Sequence, residues 1–249
     1  MNCTSIKYAL LGDIHANLEA LAAVLCDARD QGCTDYACVG DVVGYNASPR
    51  ECLDVLRDMG MPCVKGNHDA YASTLDPVAN LNPRAAAAIL WTRQQLRESD
   101  KQWLRDLKYV RPVACFSIVH ATLDSPQRWG YVFDKLGAAA SFTYQNTPVC
   151  FYGHTHVPVA FVRDGFVRGG SFSKFKVEPG RKYFINVGSV GEPRDGNPLA
   201  AYVTYDLSQG LIELRRVAYD GAKTEAKVLE AGLPPRRHGR DSDSDRGCV

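Results

Sequence analysis

No run of about 18 consecutive apolar residues occurs in this chain, so nothing in it reads as a membrane-spanning helix. Charge of one sign is missing too. Lysine and arginine number 29 against 28 aspartates and glutamates, and a net charge of +1 excludes a broad surface for nucleic acid or anionic lipid. None of the nine cysteines forms a CxxC pair and their number is odd, so a disulfide framework is not indicated. Most fall in predicted strands or helices, where reduced, buried thiols are the better reading. No internal repeat is evident. The chain enters a strand by about Ile6, which leaves no room for a signal peptide and points to the cytoplasm.

What is present suffices for a full core. At 249 residues and 45% hydrophobic content, one large α/β domain is expected over residues 1–230. Residues 231–249, polar and charged from Pro234 onward, are expected to form a disordered tail with one unpartnered thiol, Cys248. No exposed apolar helix face stands out, so the sequence says nothing of oligomeric state.

Histidine is scarce and concentrated. Of six, all but His238 lie in short ordered blocks of Asp, His and Asn: Gly12-Asp13-Ile14-His15, Gly40-Asp41, Gly66-Asn67-His68-Asp69, Val119-His120-Ala121 and Gly153-His154-Thr155-His156. Each block follows a short apolar run: Tyr8 to Leu11, Tyr36 to Val39, Cys63 to Val64, Cys115 to Val119 and Val149 to Tyr152. Runs of this kind read as buried strands. Ligands at their carboxyl ends converge on one edge of a sheet, where open α/β folds keep their sites. The blocks together suit two metal ions around one bridging oxygen.

The rest reads mostly as scaffold. Asn17 to Arg29 has helical spacing with Asn17 as N-cap, and Ser48-Pro49 begins a second helix through Met59. Asn82 to Leu107 reads as two helices broken near Ser99-Asp100, with Trp91 and Trp103 in the core. Stretches Val157 to Val167, Lys182 to Val187, Ala200 to Asp206 and Leu211 to Val217 read as strands. Thr122 to Pro148 opens as a loop with Trp129 and Tyr131, aromatics that either stack a nucleobase or cover an apolar sheet edge.

The five blocks, in this order, resemble the calcineurin-like metallophosphoesterase superfamily, whose pattern is GDxH, GDxx, GNH, a lone His and GHxH. The stretch Asn186 to Pro198 is also similar to its small bacterial and archaeal members, which include dinucleoside tetraphosphate hydrolases. The resemblance implies an α/β fold, a four-layer sandwich of two mixed β-sheets flanked by helices. It implies that Asp13, His15 and His156 hold one metal, that Asn67, His120 and His154 hold the other, and that Asp41 bridges them. Mixed imidazole and carboxylate ligands suit Mn, Fe, Zn or Co, as divalent or mixed-valence ions, with Mn or Fe favoured. Two such ions neutralise a phosphoryl group and bind a hydroxide nucleophile. His68 is then expected to protonate the leaving oxygen, with Asp69 either orienting it or capping the helix that follows.

The implied enzyme is a metal-dependent phosphoric ester hydrolase acting on a small phosphorylated substrate: a nucleotide phosphodiester, a phosphomonoester or a dinucleoside polyphosphate. Phosphoprotein phosphatases of the superfamily instead continue the second block as GDxVDRG. Here the stretch is Gly40-Asp41-Val42-Val43-Gly44-Tyr45-Asn46, without the acid or the arginine. Arg194, in the turn Gly191 to Gly196, is the expected substitute phosphate ligand, the alternative being a surface pair with Glu192 or Asp195. Arg50 and Arg84 are weaker candidates. A protein phosphatase and a non-catalytic interaction module on the same fold are the alternatives.

Overall fold

A computed structural model describes residues 6–236; His238 and Cys248, with the rest of the expected tail, lie outside the described residues. The chain opens with β1 (Lys7–Leu11), α1 (Leu18–Asp30), β2 (Asp35–Cys38) and α2 (Pro49–Asp58). Three helices follow: α3 (Asn67–Ser73), α4 (Pro83–Gln95) and α5 (Glu98–Asp106). Then come β3 (Val110–Val113), β4 (Phe116–Val119), α6 (Lys135–Tyr144), β5 (Val149–Tyr152), β6 (Val159–Arg163), β7 (Val167–Gly170) and β8 (Lys174–Lys176). The last elements are β9 (Lys182–Asn186), β10 (Ala200–Asp206), β11 (Leu211–Val217) and α7 (Gly221–Glu230).

The strands form two mixed sheets, one ordered β2-β1-β10-β11-β8 and the other β3-β4-β5-β9-β6-β7. Parallel pairing joins β1 to β2 in the first sheet and β4, β5 and β9 in the second. The strand period of two explains why both sheets are covered on both faces. Along β1, Leu10 enters the core between the sheets, whereas Ala9 and Leu11 join α1 and α2 in an outer core. Along β5, Val149 and Phe151 face the intersheet core, whereas Cys150 and Tyr152 face α6 residues Ala138 and Phe142. The result is the expected four-layer sandwich, helices outside and sheets within. Each side chain fully buried in it contributes about 1.5–3 kcal/mol relative to exposure.

Local signals account for most boundaries. Asn17 caps α1 by accepting from the amide of Ala20 at 3.1 Å, and Pro49 occupies the first turn of α2. The break between α4 and α5 comes at Leu96-Arg97 instead of Ser99-Asp100. The Asp100 carboxylate accepts from the amide of Arg97 at 2.9 Å, so it caps α5 from inside the helix. The segment after the lone histidine is not all loop: Asp134 caps α6 through the amides of Leu136 and Gly137, both at 3.0 Å. Cys63 and Val64 make single bridges to Cys38 and Lys108 and form no longer strand. Trp91 and Trp103 are half-buried against the outer cores. Leu233 and Arg236, assigned above to the tail, pack on the body. Leu233 is buried beside Tyr45 and Val228, and Arg236 pairs with Glu192 at 3.6 Å. Seven cysteines are free thiols among the described residues, and Cys33, Cys38, Cys52, Cys63 and Cys150 are buried.

Candidate metal centre

Every histidine block sits just past the carboxyl end of a strand or bridge, and the backbone ladder continues beyond those ends. The amide of Asp13 donates to the carbonyl of Gly40 at 3.0 Å, that of His15 to Asp41 at 2.9 Å, and that of Gly191 to Asp13 at 3.0 Å. These bonds draw loops from both sheets to one edge. Asp13, His15, Asp41, His154 and His156 all have positive φ, between 49° and 68°, in the left-handed region that L-residues rarely adopt. Such backbone costs about 1–3 kcal/mol per residue and persists where surrounding structure over-determines it. Glycine makes room beside it: a Cβ on Gly153 would come within 2.3 Å of the Asp13 carboxylate.

The side chains form two clusters with a shared carboxylate. Asp13, His15 and His156 bring ligand atoms within 4.8 Å of one another, and so do Asp41, His120 and His154; His15, Asp41 and His68 form a third such set that links the two. Asn67 Oδ1 lies 3.1 Å from His120 Nε2 and completes the second cluster. Asp41 Oδ2 lies between the two, 3.6 Å from His15 Nε2 and 3.4 Å from His120 Nε2. All of these groups except Asn67 are buried.

The outer nitrogens of the rings determine what the inner ones offer. His15 Nδ1 donates to the carbonyl of Val43 at 3.1 Å, His120 Nδ1 to Val39 at 2.9 Å, and His156 Nδ1 to Glu192 at 2.6 Å. His154 uses its other nitrogen, Nε2 donating to the carbonyl of Trp129 at 2.8 Å. A carbonyl only accepts, so each neutral ring is assigned the tautomer that leaves its inner nitrogen a bare lone pair. Those lone pairs meet: Nε2 of His15 and Nε2 of His156 are 3.1 Å apart, and Nε2 of His120 and Nδ1 of His154 are 3.2 Å apart. Facing lone pairs, with carboxylates alongside, need a cation. The donor set therefore fits transition-metal ions, each imidazole oriented by a carbonyl behind it.

In the second cluster a proton on His120 serves as that cation until a metal displaces it. Burial lowers His120, but the Asp41 carboxylate, with Asp13 behind it, overrides burial and carries its pKa up to about 10. Asp41 is itself driven well below the carboxylate range: burial opposes this, and His120 and His68 outweigh it. Burial pushes His15 and His154 down. In Asp69, burial first and then Asp41 raise the pKa to about 7.

His68 and Asp69 sit beside the ligands on α3. The His68 amide donates to Asp41 Oδ1 at 2.8 Å. Its Nδ1 is buried without a hydrogen-bond partner, which leaves Nε2 as the nitrogen available to the cavity that His68 lines. Burial holds the ring down to about 4. The Asp69 carboxylate accepts from the amides of Asp41 at 2.8 Å, Val42 at 2.9 Å, Val43 at 3.3 Å and Gly66 at 3.0 Å. Of the two roles expected for Asp69, the geometry builds the cap: it ties the second block to the start of α3 and makes no bond to the imidazole of His68.

A cavity of about 510 Å³ opens over the clusters, lined by Asp41, Asn67, His68, His154 and His156 on its floor. Residues 79–83, Ala85, Tyr45, Tyr131 and Arg194 complete it. Arg194 faces this cavity, and the acids near it in sequence have other pairs: Glu192 with Arg84 at 2.7 Å and with Arg236, Asp195 with Arg216. Arg84 is thereby engaged, and Arg50 is exposed outside the cavity lining. Tyr131 lies at the rim, its ring stacked 4.2 Å from that of His154 and 5.4 Å from that of Phe133. Trp129 does not line the cavity; it sits behind the ligands, its carbonyl on His154 Nε2 and its ring 5.8 Å from that of His120.

Sequence reasoning missed Tyr45, Glu192 and Phe133. Tyr45 follows the second block directly, which was its one local signal. The Glu192 carbonyl behind His156 had none.

Fold and site together define a metallophosphoesterase architecture, and the chain belongs to the calcineurin-like phosphoesterase superfamily, whose domain matches residues 6–210. It is 36% identical over 234 residues to an uncharacterized protein of Methanocaldococcus jannaschii, covering 91% of this chain and 93% of that protein. A metallophosphoesterase from Sphaerobacter thermophilus superimposes with a TM-score of 0.82 at 35% identity, covering 92% of this chain and 95% of that one. A Pyrococcus horikoshii protein shares the fold with a TM-score of 0.75 at 18% identity, over 92% and 94% of the two chains.

Proposed function

We propose that this protein is a binuclear metal-dependent phosphoesterase that hydrolyses a small phosphorylated molecule, with nucleotides the favoured class. The observation that carries this reading is the set of inward-facing imidazole nitrogens and carboxylates on the floor of an open cavity. Asp13, His15 and His156 would hold one ion, Asn67, His120 and His154 the other, and Asp41 both. When bound, two such ions supply charge neutralisation for a phosphoryl group and make water acidic.

The chain's own residues supply the rest. Arg194 meets the phosphoryl oxygens with its planar fork. His68 would give a proton to the leaving oxygen once the charge of the bound phosphate raises the ring from about 4. Tyr131 borders the organic part of the substrate, and Trp129 acts through the ligands His154 and His120. A volume of about 510 Å³ lies within the usual range for small-molecule sites, which favours a compact ester over a protein surface.

The test is a hydrolysis screen of the purified, Mn-reconstituted protein. Its substrates are nitrophenyl phosphate, bis-nitrophenyl phosphate, cyclic nucleotides, dinucleoside polyphosphates and a phosphopeptide. Turnover of a nucleotide well above the phosphopeptide is expected. Preference for the phosphopeptide would overturn the substrate class, and no turnover with Mn, Fe, Zn or Co would overturn the enzyme.

A further inference from the structure

Tyr45 is 4% exposed and sits at φ 59°, directly after Gly44 at φ 93°. That turn wraps His68: a Cβ on Gly44 would fall 2.3 Å from His68 Nδ1. The Tyr45 ring then lies 4.6 Å from the His68 ring and 4.7 Å from the His15 ring, centroid to centroid. On the same ring the Arg84 guanidinium stacks at 4.5 Å. The hydroxyl accepts from Arg194 Nη2 at 3.1 Å, with the guanidinium carbon 5.8 Å from the ring centroid. One buried phenol thus touches a metal ligand, the proton donor and the cavity arginine.

The second arginine has a separate task. Arg84 forms a fork to both Glu192 oxygens, at 2.7 and 3.3 Å, and the Glu192 carbonyl orients His156. Tyr45 lies between an arginine committed to the scaffold and one aimed at the cavity. Arginine loses much rotamer freedom when fixed, so an acceptor that holds its fork before substrate arrives lowers the cost of binding a phosphate.

We propose that Tyr45 is a positioning residue whose hydroxyl directs Arg194 at the phosphoryl group and whose ring backs the imidazole of His68. The proposal rests on Arg194 being the phosphate ligand of the preceding reading.

Tyr45→Phe removes the hydroxyl and keeps the ring, so thermal unfolding and metal content stay at wild-type values. Inorganic phosphate affinity, by calorimetry on the metal-loaded protein, is expected to weaken by about tenfold, the scale of one lost hydrogen bond to a charged group. KM for nitrophenyl phosphate rises by about the same factor, while kcat moves by less than about threefold. In an Arg194→Ala background, adding Tyr45→Phe changes phosphate affinity by less than about twofold, because the guanidinium that the hydroxyl directs is gone. Wild-type phosphate affinity in Tyr45→Phe overturns the proposal, as does an equal loss with and without Arg194. If the wild type hydrolyses no ester, the enzymatic reading fails, and phosphate calorimetry still decides the role of Tyr45.

Discussion

His15 and His156 point Nε2 at Nε2 across 3.1 Å, each held from behind by a backbone carbonyl that accepts a hydrogen bond from Nδ1. Two neutral rings so locked repel one another, and a cation removes the repulsion. Chelation should therefore destabilise the fold. Binding at a hundredfold excess over Kd is worth about 2.7 kcal/mol, or about 5 to 10 °C in Tm for a domain of this size. His15→Ala should lower bound metal measured by elemental analysis, and unchanged stoichiometry would refute the ligand assignment.

The same site sets a pH dependence through His120. Raised to about 10 from 6.5, it stabilises the metal-free fold fully below its ordinary value, and that contribution fades as the pH climbs through about 10. A metal ion must displace the same proton. Metal affinity should rise with pH across this window, and binding at pH 7 should release about one proton from His120. Calorimetry in buffers of different ionisation enthalpy counts it. Affinity independent of pH from 6.5 to 9 would contradict the shift.

Asp69→Asn places an NH₂ group against amide donors that the carboxylate now accepts, from Asp41, Val42, Val43 and Gly66. Two donors facing one another in a buried site cost about 1–3 kcal/mol for each group left unsatisfied. The expected outcome is a loss of about 3 kcal/mol in denaturant unfolding, with weaker metal retention because the Asp41 loop is released. A variant as stable as the wild type would show that the cap matters little.

His68→Ala should keep its metal and lose turnover by about 10² to 10⁴ on esters with poor leaving groups. Activated nitrophenyl esters, whose leaving group hardly needs a proton, should suffer less. Equal losses on both would rule out His68 as the proton donor, and a fall in metal content would make it a ligand.

Much of this architecture is legible in the sequence. The strands Val149–Tyr152, Ala200–Asp206 and Leu211–Val217 fall where the sequence predicts; the first two are buried on both faces along their whole length, and such strands are written as short, largely apolar runs. The Asn17 cap was readable for the same reason: its partner is three residues away. Helix α6 was less legible, since Lys135–Tyr144 has apolar residues on its exposed face as well, Leu136 and Tyr144 among them. Helix α7 was not read at all; its packed positions, Thr224 and Val228, are too few to mark a periodic face.

By itself the sequence determined the kinds of ligand, their order and the strand ends that bear them, since those depend on neighbours in the chain. Tertiary structure alone decided which nitrogen of each ring faces inward, because the carbonyls of Val39, Val43, Trp129 and Glu192 come from distant loops. It also decided that Arg194 turns to Tyr45, 149 residues away, and Arg84 to Glu192, 108 residues away. Both pairings form only when the loop after β9 meets the loop after β2 and the first turn of α4. No local pattern of residues records a hydrogen bond across that distance.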